Sequence, residues 1–378
     1  MRKANKTDLN FMILFLMVIL YPVIDRVTGL SSGVESHEKR ALAKMPDYAT
    51  SEDVETYISG VDKYYTDNFG GRNLFIKTFC WIKLHLFGSS PFPEQVVIGQ
   101  DGWTFLGQSK SSIYSEHQGV RVYNKKLLAR SKQNILDNRN WLTSRGIGYY
   151  LFVAPDKYSI YPEKLPAHFD ARHNHLNLDR FIKSMKPELD VIDVRNELIA
   201  GKEKMPTYGR TDSHWTQYGA FLGYRKLIQT MNQDYPAIGR PKRLSEYTVQ
   251  LAPSDHKDMA HLLHAQEMFP DIETVMTPKG GMSFRQVRSQ LKIPRGYKAD
   301  PKNYEVRYKS TRVNGPKILV FRDSFSNKLK AYLPYNFSEI IFISNNHKFD
   351  KTIIEKENPD IVLHEIVERN IIEIFRRY

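Results

Sequence analysis

At 378 residues with a single cysteine, Cys80, the chain can bury a substantial core but cannot form an internal disulfide or a paired-cysteine metal or redox site. Lysine and arginine (55) outnumber aspartate and glutamate (42), and the net charge of +13 favours acidic partners such as an anionic glycan, a membrane surface or nucleic acid. Nucleic acid is disfavoured because the sequence has no zinc-finger spacing, aromatic RNA-binding motif or basic helix.

The first element is an apolar run with a basic flank. Arg2 and Lys3 precede the run from Phe11 to Ile24, which Pro22 interrupts. This order is typical of an export signal whose positive end stays in the cytoplasm. Residues 1–25 are therefore predicted to form a signal-anchor helix that leaves the rest of the chain outside the cytoplasm. A cleaved signal peptide is the alternative.

Residues 26–88 are predicted to form a polar tether followed by a helical segment. Apolar side chains recur at helical spacing from Val54 to Tyr65, behind the acidic pair Glu52-Asp53. A second apolar helix is predicted from Leu74 to Phe87.

A hairpin opens the remainder of the chain, residues 89–378. Two apolar runs within Gln95–Leu106 flank a Gly-Gln-Asp-Gly turn of the kind that requires positive φ. Asn124 then caps a predicted helix that Gly146 closes, and the apolar strand Ile147–Ala154 follows.

From this strand onward, strands and helices alternate. Further helices are predicted at about 176–185, 197–202 and 215–231, and further strands at 191–194, 317–321, 339–344 and 360–364. Near-continuous hydrophobicity indicates strands buried on both faces, as in a parallel sheet. The prediction is a doubly wound α/β domain. The segment at about 246–310 breaks the alternation and is predicted to be an inserted lobe.

Two junctions in this pattern carry the residues of a serine triad. Asp212 and His214 lie two positions apart just before a predicted helix, and a carboxylate can fix the tautomer of a catalytic histidine. Ser324 follows the strand Lys317–Phe321, and α/β folds place nucleophiles at the carboxyl ends of such strands. We predict that Ser324 is the nucleophile, His214 its base and Asp212 the orienting acid.

Each junction also has a purely structural interpretation. Asp212 or Ser213 could be a helix N-cap, and Arg322-Asp323-Ser324 could be a simple strand-to-helix turn. Because Asp323 is adjacent to the serine, a capping role is expected for its carboxylate.

Other side chains at strand ends are weaker candidates. Lys157 and Tyr158 follow the first central strand and could line the cleft and contact substrate, although a solvated turn is the alternative. Asn345 and Asn346 follow the strand at 339–344 and could donate to an oxyanion. Near the C-terminus Glu365 and Arg369 are four apart in a predicted helix, and a surface ion pair is expected.

Metal and cofactor chemistry is not predicted. The lobe contains three histidines without a metalloprotease spacing, His256, His261 and His264.

Four motifs together resemble a known family. They are Asp-Gly-Trp-Thr-Phe-Leu in the hairpin, Ala-Pro-Asp-Lys-Tyr-Ser-Ile-Tyr-Pro-Glu after the first central strand, Thr-Asp-Ser-His-Trp-Thr, and the late Asp-Ser-Phe. In this order, and behind a signal-anchor, they resemble the AlgJ/AlgX-like proteins, whose acid–histidine pair precedes the nucleophile. Asp212, His214 and Ser324 match that family's catalytic positions. Arg322 departs from the pattern, because glycine often precedes the Asp-Ser pair.

The resemblance implies an SGNH-hydrolase-like fold and an extracytoplasmic O-acetyltransferase. Such an enzyme moves an acetyl group, through a serine acyl-enzyme, onto hydroxyls of a cell-surface or exported polysaccharide. A glycan acetylesterase and a catalytically inactive scaffold in a polysaccharide modification complex are the alternatives. The implied partners are the polysaccharide acceptor, a multispanning membrane acyltransferase that supplies the acetyl donor, and the membrane that holds the N-terminal helix.

Overall fold

The computed structural model describes residues 6–33, 42–109, 112–173, 176–295, 297, 300–311, 313–345 and 348–371. The chain divides into two compact units, residues 1–92 with 260–269, and residues 93–259 with 270–378. The helices within the described residues are α1 Lys6–Thr28, α2 Val54–Asn68, α3 Arg72–His85, α4 Ile113–His117, α5 Lys125–Thr143, α6 Lys157–Ile160, α7 Leu176–Met185, α8 Arg195–Gly201, α9 Gln217–Asp234, α10 Asp258–Leu262, α11 Ser326–Leu329 and α12 Lys351–Glu357. The strands are β1 Val96–Ile98, β2 Thr104–Leu106, β3 Gly148–Ala154, β4 Val191–Asp193, β5 Tyr247–Pro253, β6 Ile272–Pro278, β7 Phe284–Val287, β8 Glu305–Ser310, β9 Lys317–Phe321, β10 Glu339–Ile343 and β11 Ile361–Val367.

In the first unit, α1 is an exposed apolar helix. Its stretch Leu9–Thr28 has a mean hydropathy of 2.0, and it is the one helix among the described residues that is long and apolar enough to cross a membrane. Pro22 lies inside the helix without ending it, so the helix extends three residues beyond the predicted limit at residue 25. This helix is compatible with the predicted membrane anchor.

The other helices of the first unit follow the sequence pattern closely. Asp53 caps α2, since its carboxylate accepts a hydrogen bond of 2.7 Å from the Thr56 amide. Cys80, on α3, is fully buried.

The second unit begins with the predicted hairpin. Strands β1 and β2 pair antiparallel, with Val96 opposite Leu106. The turn between them places Asp101 and Gly102 in the left-handed region, at φ of 53° and 74°. The turn chemistry expected from the sequence is therefore correct.

The main sheet has seven strands in the order β4-β3-β11-β9-β10-β8-β7. The first five run parallel to their neighbours, and every residue of β11 is buried. Helices α5, α7 and α12 pack on one face, against a cluster that includes Leu151 and Val153. On the other face Phe152 contacts Trp215, just before α9, and Gly223 within α9. The predicted doubly wound α/β domain is confirmed.

The inserted lobe is smaller than predicted, because its second part belongs to the main sheet. Strands β5 and β6 form a separate antiparallel pair, but β7 and β8 add to the edge beside β10 and make the sheet mixed. Arg307, in the middle of β8, is buried and bonds carboxylates of Glu305, Glu339 and Glu357 at 2.7–2.9 Å. These ion pairs neutralise the buried arginine of β8 and link the strand to β10 and α12.

Candidate active site

The loop that carries the acid–histidine pair is fixed by a buried carboxylate. Asp271 accepts hydrogen bonds from the backbone amides of Arg210 and Thr211, at 3.0 and 2.6 Å, and from the Thr211 hydroxyl. Helix α9 is capped by Thr216, whose hydroxyl accepts from the Gly219 amide at 3.1 Å. The N-cap role considered for Asp212 or Ser213 is therefore wrong, and the Asp212 carboxylate is left to act elsewhere.

A buried tryptophan joins this loop to the turn that carries Ser324. The fully buried Trp215 donates its indole N–H to the Phe325 carbonyl at 3.0 Å. The Phe325 ring in turn lies 5.0 Å from the His214 ring, centroid to centroid. The loop that carries His214 and the turn that carries Ser324, which are distant in sequence, are thus packed against each other.

The three predicted catalytic side chains form a continuous chain of hydrogen bonds. His214 Nε2 lies 2.8 Å from Ser324 Oγ, and His214 Nδ1 lies 2.8 Å from Asp212 Oδ1. The same carboxylate oxygen accepts from the His214 backbone amide at 2.7 Å. With Nδ1 donating to Asp212, Nε2 is the acceptor that a serine hydroxyl needs in order to lose its proton.

The carboxylate of Asp212 remains ionised across the physiological range. Burial alone would raise the pKa of Asp212, but the hydrogen bonds and charge of His214 outweigh it and lower the pKa to about 2. An ionised carboxylate stabilises the imidazolium that forms when His214 accepts a proton.

A second carboxylate supports the same imidazole. Asp258 Oδ2 lies 3.7 Å from His214 Nδ1 and accepts a hydrogen bond of 2.5 Å from the Ser213 hydroxyl, while Oδ1 accepts from the Ser213 amide at 2.8 Å. Asp258 is separated from Asp212 by 46 positions. No local motif marked it, so sequence analysis missed it.

The turn that carries Ser324 is held by two carboxyl groups, that of the half-buried Asp323 and that of the fully buried Glu365. Asp323 accepts from the Phe325 amide at 2.8 Å and from the Val367 amide at 2.7 Å, in agreement with its predicted capping role. Glu365 accepts from the Asp323 amide at 3.0 Å and from the Ser326 hydroxyl at 2.7 Å. Burial and the neighbouring Asp323 charge raise the pKa of Glu365 well above its usual value. Both effects favour the protonated form of the Glu365 carboxyl, which lies beneath the turn that carries Ser324.

The triad opens into a pocket of about 430 Å³. Ser324 is exposed there, and 25% of the His214 side chain is accessible. The pocket is lined by Asp212, His214, Trp215, His256, Asp258, Ser324, Phe325, Asn327 and Lys328. No recognisable sequence motif marked four of these residues, His256, Asp258, Asn327 and Lys328. The last two lie only three and four positions after the predicted nucleophile.

Lys157 and Tyr158 are buried and do not line this pocket. Lys157 is 4% exposed and donates to the backbone carbonyls of Thr104, Gly209 and Arg210, at 2.8, 2.8 and 3.1 Å. Burial lowers the pKa of Lys157 to about 7. Tyr158 donates to the Leu106 carbonyl at 2.6 Å. Their burial agrees neither with a substrate contact in this pocket nor with a solvated turn. Through its hydrogen bonds Lys157 instead links the hairpin to the loop that leads to Asp212.

The asparagine after β10 also lies apart from the pocket. Asn345 is not among the pocket-lining residues, and its amide nitrogen donates to the Lys348 carbonyl at 2.8 Å. Asn346, the other candidate, lies outside the described residues. A role for Asn345 as oxyanion donor therefore has no geometric support.

The expected surface pair of Glu365 and Arg369 is wrong, because Glu365 lies in a strand and Arg369 in the short 3-10 turn Glu368–Asn370 that follows it. Glu365 is a fully buried residue of β11, and Arg369 forms an ion pair with the buried carboxylate of Asp156 instead. The sequence analysis ended this strand at His364, one residue before Glu365, whereas β11 continues to Val367.

Two groups of side chains have the composition of a metal site. In each, the ligand atoms lie within 4.8 Å of one another: His117 with Asp156 and Glu368, and Asp212 with His214 and Asp258. In the first, Arg369 already neutralises Asp156. In the second, a cation on His214 Nδ1 would displace the proton that orients the imidazole. The hydrogen bonds and ion pairs account for both groups without a metal.

A family model described as "SGNH hydrolase-like domain, acetyltransferase AlgX" matches residues 96–288. A probable alginate O-acetylase AlgJ of Pseudomonas syringae pv. tomato is 24% identical over 226 residues, which cover 56% of this chain and 53% of the relative. Its counterpart in Pseudomonas aeruginosa is 30% identical over 159 residues, 40% of this chain and 38% of the relative. The match with this chain covers about half the length of the first relative and less than half the length of the second.

Solved structures show the same fold. Bacillus cereus PatB1, in a structure with a sulfonyl adduct, has a TM-score of 0.57 at 21% identity over 75% of this chain and 97% of that one. A DHHW family protein from Eubacterium siraeum has a TM-score of 0.52 at 17% identity over 75% of this chain and 98% of that one. At these identities the likeness concerns the fold alone.

Proposed function

Since the chain belongs to the family of SGNH hydrolase-like, AlgX-type acetyltransferase domains, we propose that it is an O-acetyltransferase acting through an acyl-enzyme on Ser324. The observation that carries the proposal is the unbroken hydrogen-bond chain from Ser324 Oγ through His214 to Asp212. A degraded, non-catalytic site would not need to keep base, acid and hydroxyl at these distances.

The first half-reaction acylates the serine. Ser324 Oγ attacks the acetyl carbonyl carbon of an ester donor while His214 Nε2 accepts the hydroxyl proton. Asp212 holds Nδ1–H and stabilises the imidazolium. Collapse of the tetrahedral intermediate breaks the bond to the donor oxygen, which takes the proton from His214 and leaves as an alcohol.

The second half-reaction moves the acetyl group to a sugar. An acceptor hydroxyl gives its proton to His214 Nε2 and attacks the acyl carbonyl, and Ser324 leaves with that proton restored. The open 430 Å³ pocket has room for a sugar hydroxyl to approach from solvent. The chain's net charge of +13 favours an acidic polysaccharide as acceptor, as do the alginate O-acetylases to which the chain is similar.

Helix α1 supports a proposal for the cellular setting of the reaction. An apolar N-terminal helix with a basic flank would anchor the enzyme with its catalytic unit outside the cytoplasm. An acetyl donor is then needed on that side of the bilayer. We propose a multispanning membrane acyltransferase as its source and an exported polysaccharide as its destination.

The test measures where the acetyl group goes. The purified protein is incubated with an activated acetyl ester and an acidic oligosaccharide, and acetylated sugar and free acetate are quantified by mass spectrometry. Transfer to sugar, lost in Ser324→Ala and retained in the exposed control Ser144→Ala, supports the proposal. Release of acetate alone in the presence of acceptor would make the protein an esterase. Turnover that survives Ser324→Ala would exclude the acyl-enzyme.

A further inference from the structure

The first unit leaves apolar side chains uncovered on α3, the helix Arg72–His85. Trp81 is 48% exposed, and Phe87, two residues beyond the end of the helix, is 69% exposed. The exposed apolar residues of this segment are Leu74, Phe79, Trp81, Leu86 and Phe87. So many large apolar side chains on one short segment are typical of a surface that another apolar phase covers.

The charged residues of α3 are all basic. The helix contains Arg72, Lys77 and Lys83 and no aspartate or glutamate. Lys77 forms a solvent-exposed pair with Glu267 at 3.7 Å, a kind of contact that binds weakly, and Lys83 Nζ lies 5.9 Å from the centroid of the Phe87 ring. Basic residues interspersed with exposed aromatic and aliphatic ones are typical of a helix that lies on an anionic membrane surface.

Direct contacts place α3 beside the C-terminal end of α1. The rings of Tyr21 and Phe75 meet edge to face with their centroids 5.4 Å apart. In the turn between α2 and α3, a Cβ atom on Gly70 would collide with the Pro22 carbonyl and lie 2.8 Å from the Arg26 amide nitrogen. The α2–α3 turn therefore packs against the backbone of α1.

That end of α1 is also where the surface of a bilayer would lie. Residues 9–24, between Asp8 and Asp25, include no charged side chain. At about 1.5 Å per residue they extend about 24 Å, less than the hydrocarbon core of about 30 Å. The contacts between α1 and the α2–α3 turn thus fall at the boundary between hydrocarbon and water.

Trp81 is suited to this boundary. Its indole stacks on the His85 ring, with the centroids 4.7 Å apart, and its N–H has no acceptor among the residues that the structure describes. Tryptophan concentrates at the headgroup level of membranes, because its ring contacts acyl chains while its N–H bonds polar groups. Leu74, two helical turns earlier, lies on the same side of α3.

We propose that α3 and the residues Leu86-Phe87 after it form an interfacial helix in the bilayer that α1 spans. The apolar side chains face the acyl chains, and the basic ones bind anionic phospholipid headgroups. This inference rests on the anchoring role proposed for α1. The interfacial helix supplements a short apolar anchor and holds the first unit to the membrane at a second point.

The direct test locates Trp81 in a bilayer. The full chain is reconstituted, without any other protein, into vesicles of phosphatidylethanolamine and phosphatidylglycerol that carry brominated acyl chains. The chain has four tryptophans, so the difference in fluorescence between the natural chain and Trp81→Phe isolates the Trp81 signal. We expect brominated lipid to remove most of this signal and aqueous acrylamide to remove little of it. The opposite pattern would overturn the proposal, because Trp81 would face water and its surface would be free for a protein partner.

A spin label at position 87 gives an independent measurement. The single cysteine, Cys80, is fully buried, so a thiol-reactive nitroxide is directed to an introduced cysteine. In Phe87→Cys the label should be more accessible to oxygen, which partitions into lipid, than to a water-soluble nickel complex. Ser144→Cys, on the exposed surface of the second unit, is the control and should show the reverse order. The same order at both positions would contradict an interfacial location.

Lipid charge tests the role of the basic side chains. In vesicles of phosphatidylcholine alone, quenching of Trp81 by brominated lipid should be weaker, because Arg72, Lys77 and Lys83 lose their anionic partners. Equal quenching in the two kinds of vesicle would overturn the preference for anionic lipid.

Two parallel measurements separate this inference from the proposals on which it depends. If alkaline carbonate washes the natural chain off the vesicles, α1 does not span the bilayer and the interfacial helix fails with it. Acetyl transfer from a soluble ester, measured in the same vesicles, reports the chemistry. Absence of transfer with Trp81 still quenched would overturn the proposed reaction and support the interfacial helix.

Discussion

His214 Nε2 lies 2.8 Å from Ser324 Oγ although 110 positions separate the two residues. The contact depends on a sheet that brings β9 to its centre and on the indole–carbonyl hydrogen bond between Trp215 and Phe325. The side chains predicted to be base and nucleophile therefore lie within hydrogen-bond distance of each other, and substitutions can remove each of these contacts separately.

The two carboxylates beside His214 should differ in importance. Asp212 accepts directly from Nδ1 at 2.8 Å, whereas Asp258 is 3.7 Å away and bonds Ser213. We expect Asp212→Asn to lower kcat by about 10⁴-fold, because the amide can stabilise the wrong tautomer. Asp258→Asn should cost far less, since the Asp212 hydrogen bond is retained. Equal losses in the two variants would contradict the assignment of Asp212 as the orienting acid.

The buried Glu365 carboxyl, whose pKa is raised well above its usual value, should tolerate replacement by an amide. In Glu365→Gln the amide oxygen can still accept from the Asp323 amide and the Ser326 hydroxyl, and no buried charge is lost. We expect kcat within about tenfold of the natural value, on the order of 1.4 kcal/mol in barrier. Glu365→Ala removes both acceptors and should lower kcat and thermal stability more. If glutamine is as damaging as alanine, Glu365 acts as a charge instead.

Asp212, His214 and Ser324 could be predicted as catalytic candidates because they lie at or next to the ends of regular elements. Ser324 follows the apolar strand β9, and His214 precedes the amphipathic helix α9. The alternation of strands and helices then leads to a shared edge of a parallel sheet. Local pattern and chain topology led to the prediction of a triad, and the three side chains are hydrogen-bonded to one another in the structure.

Residues that depend on distant partners could not be predicted in the same way. Strand β8 has a charged sequence, and its buried Arg307 is neutralised by the carboxylates of three glutamates. Lys157 follows a strand as a substrate contact would, yet backbone carbonyls from two other segments enclose it. Asp258 reaches His214 from the lobe. In each case the residues that determine the local structure include partners far away in sequence.

The buried Lys157 should contribute strongly to stability. In Lys157→Met the carbonyls of Thr104 and Gly209 lose the lysine donor, and each buried group left unsatisfied costs on the order of 1–3 kcal/mol. The Arg210 carbonyl also loses the lysine but still accepts from the Thr104 amide. Lys164→Met is the control, because Lys164 forms a partly exposed pair with Asp101 that contributes about 0–1 kcal/mol. Thermal unfolding should show a much lower Tm for the first variant. Equal Tm values would mean that the Lys157 contacts are not stabilising.

The same lysine should produce a pH-dependent stability. Burial lowers its pKa in the folded chain to about 7, from an ordinary value of 10.5. Between these values the unfolded state carries the proton and the folded state does not, so the free energy of unfolding rises with pH. The slope is at most about 1.4 kcal/mol per pH unit.

Denaturant titrations of the natural chain and of Lys157→Met isolate this effect. The difference in their free energies of unfolding should increase from pH 7 towards pH 10 and stay constant below about pH 6. A difference that is flat or falls with rising pH would contradict the lowered pKa.

The most direct test of the central claim is the chemical identity of the acyl-enzyme. The protein is mixed with an activated acetyl ester, quenched in acid before turnover is complete, digested and sequenced by mass spectrometry. We predict an acetyl group on Ser324 that disappears when an oligosaccharide acceptor is added before the quench and is absent from Ser324→Ala. Turnover with an acetyl group on another residue, or with no covalent adduct at any quench time, would contradict the account.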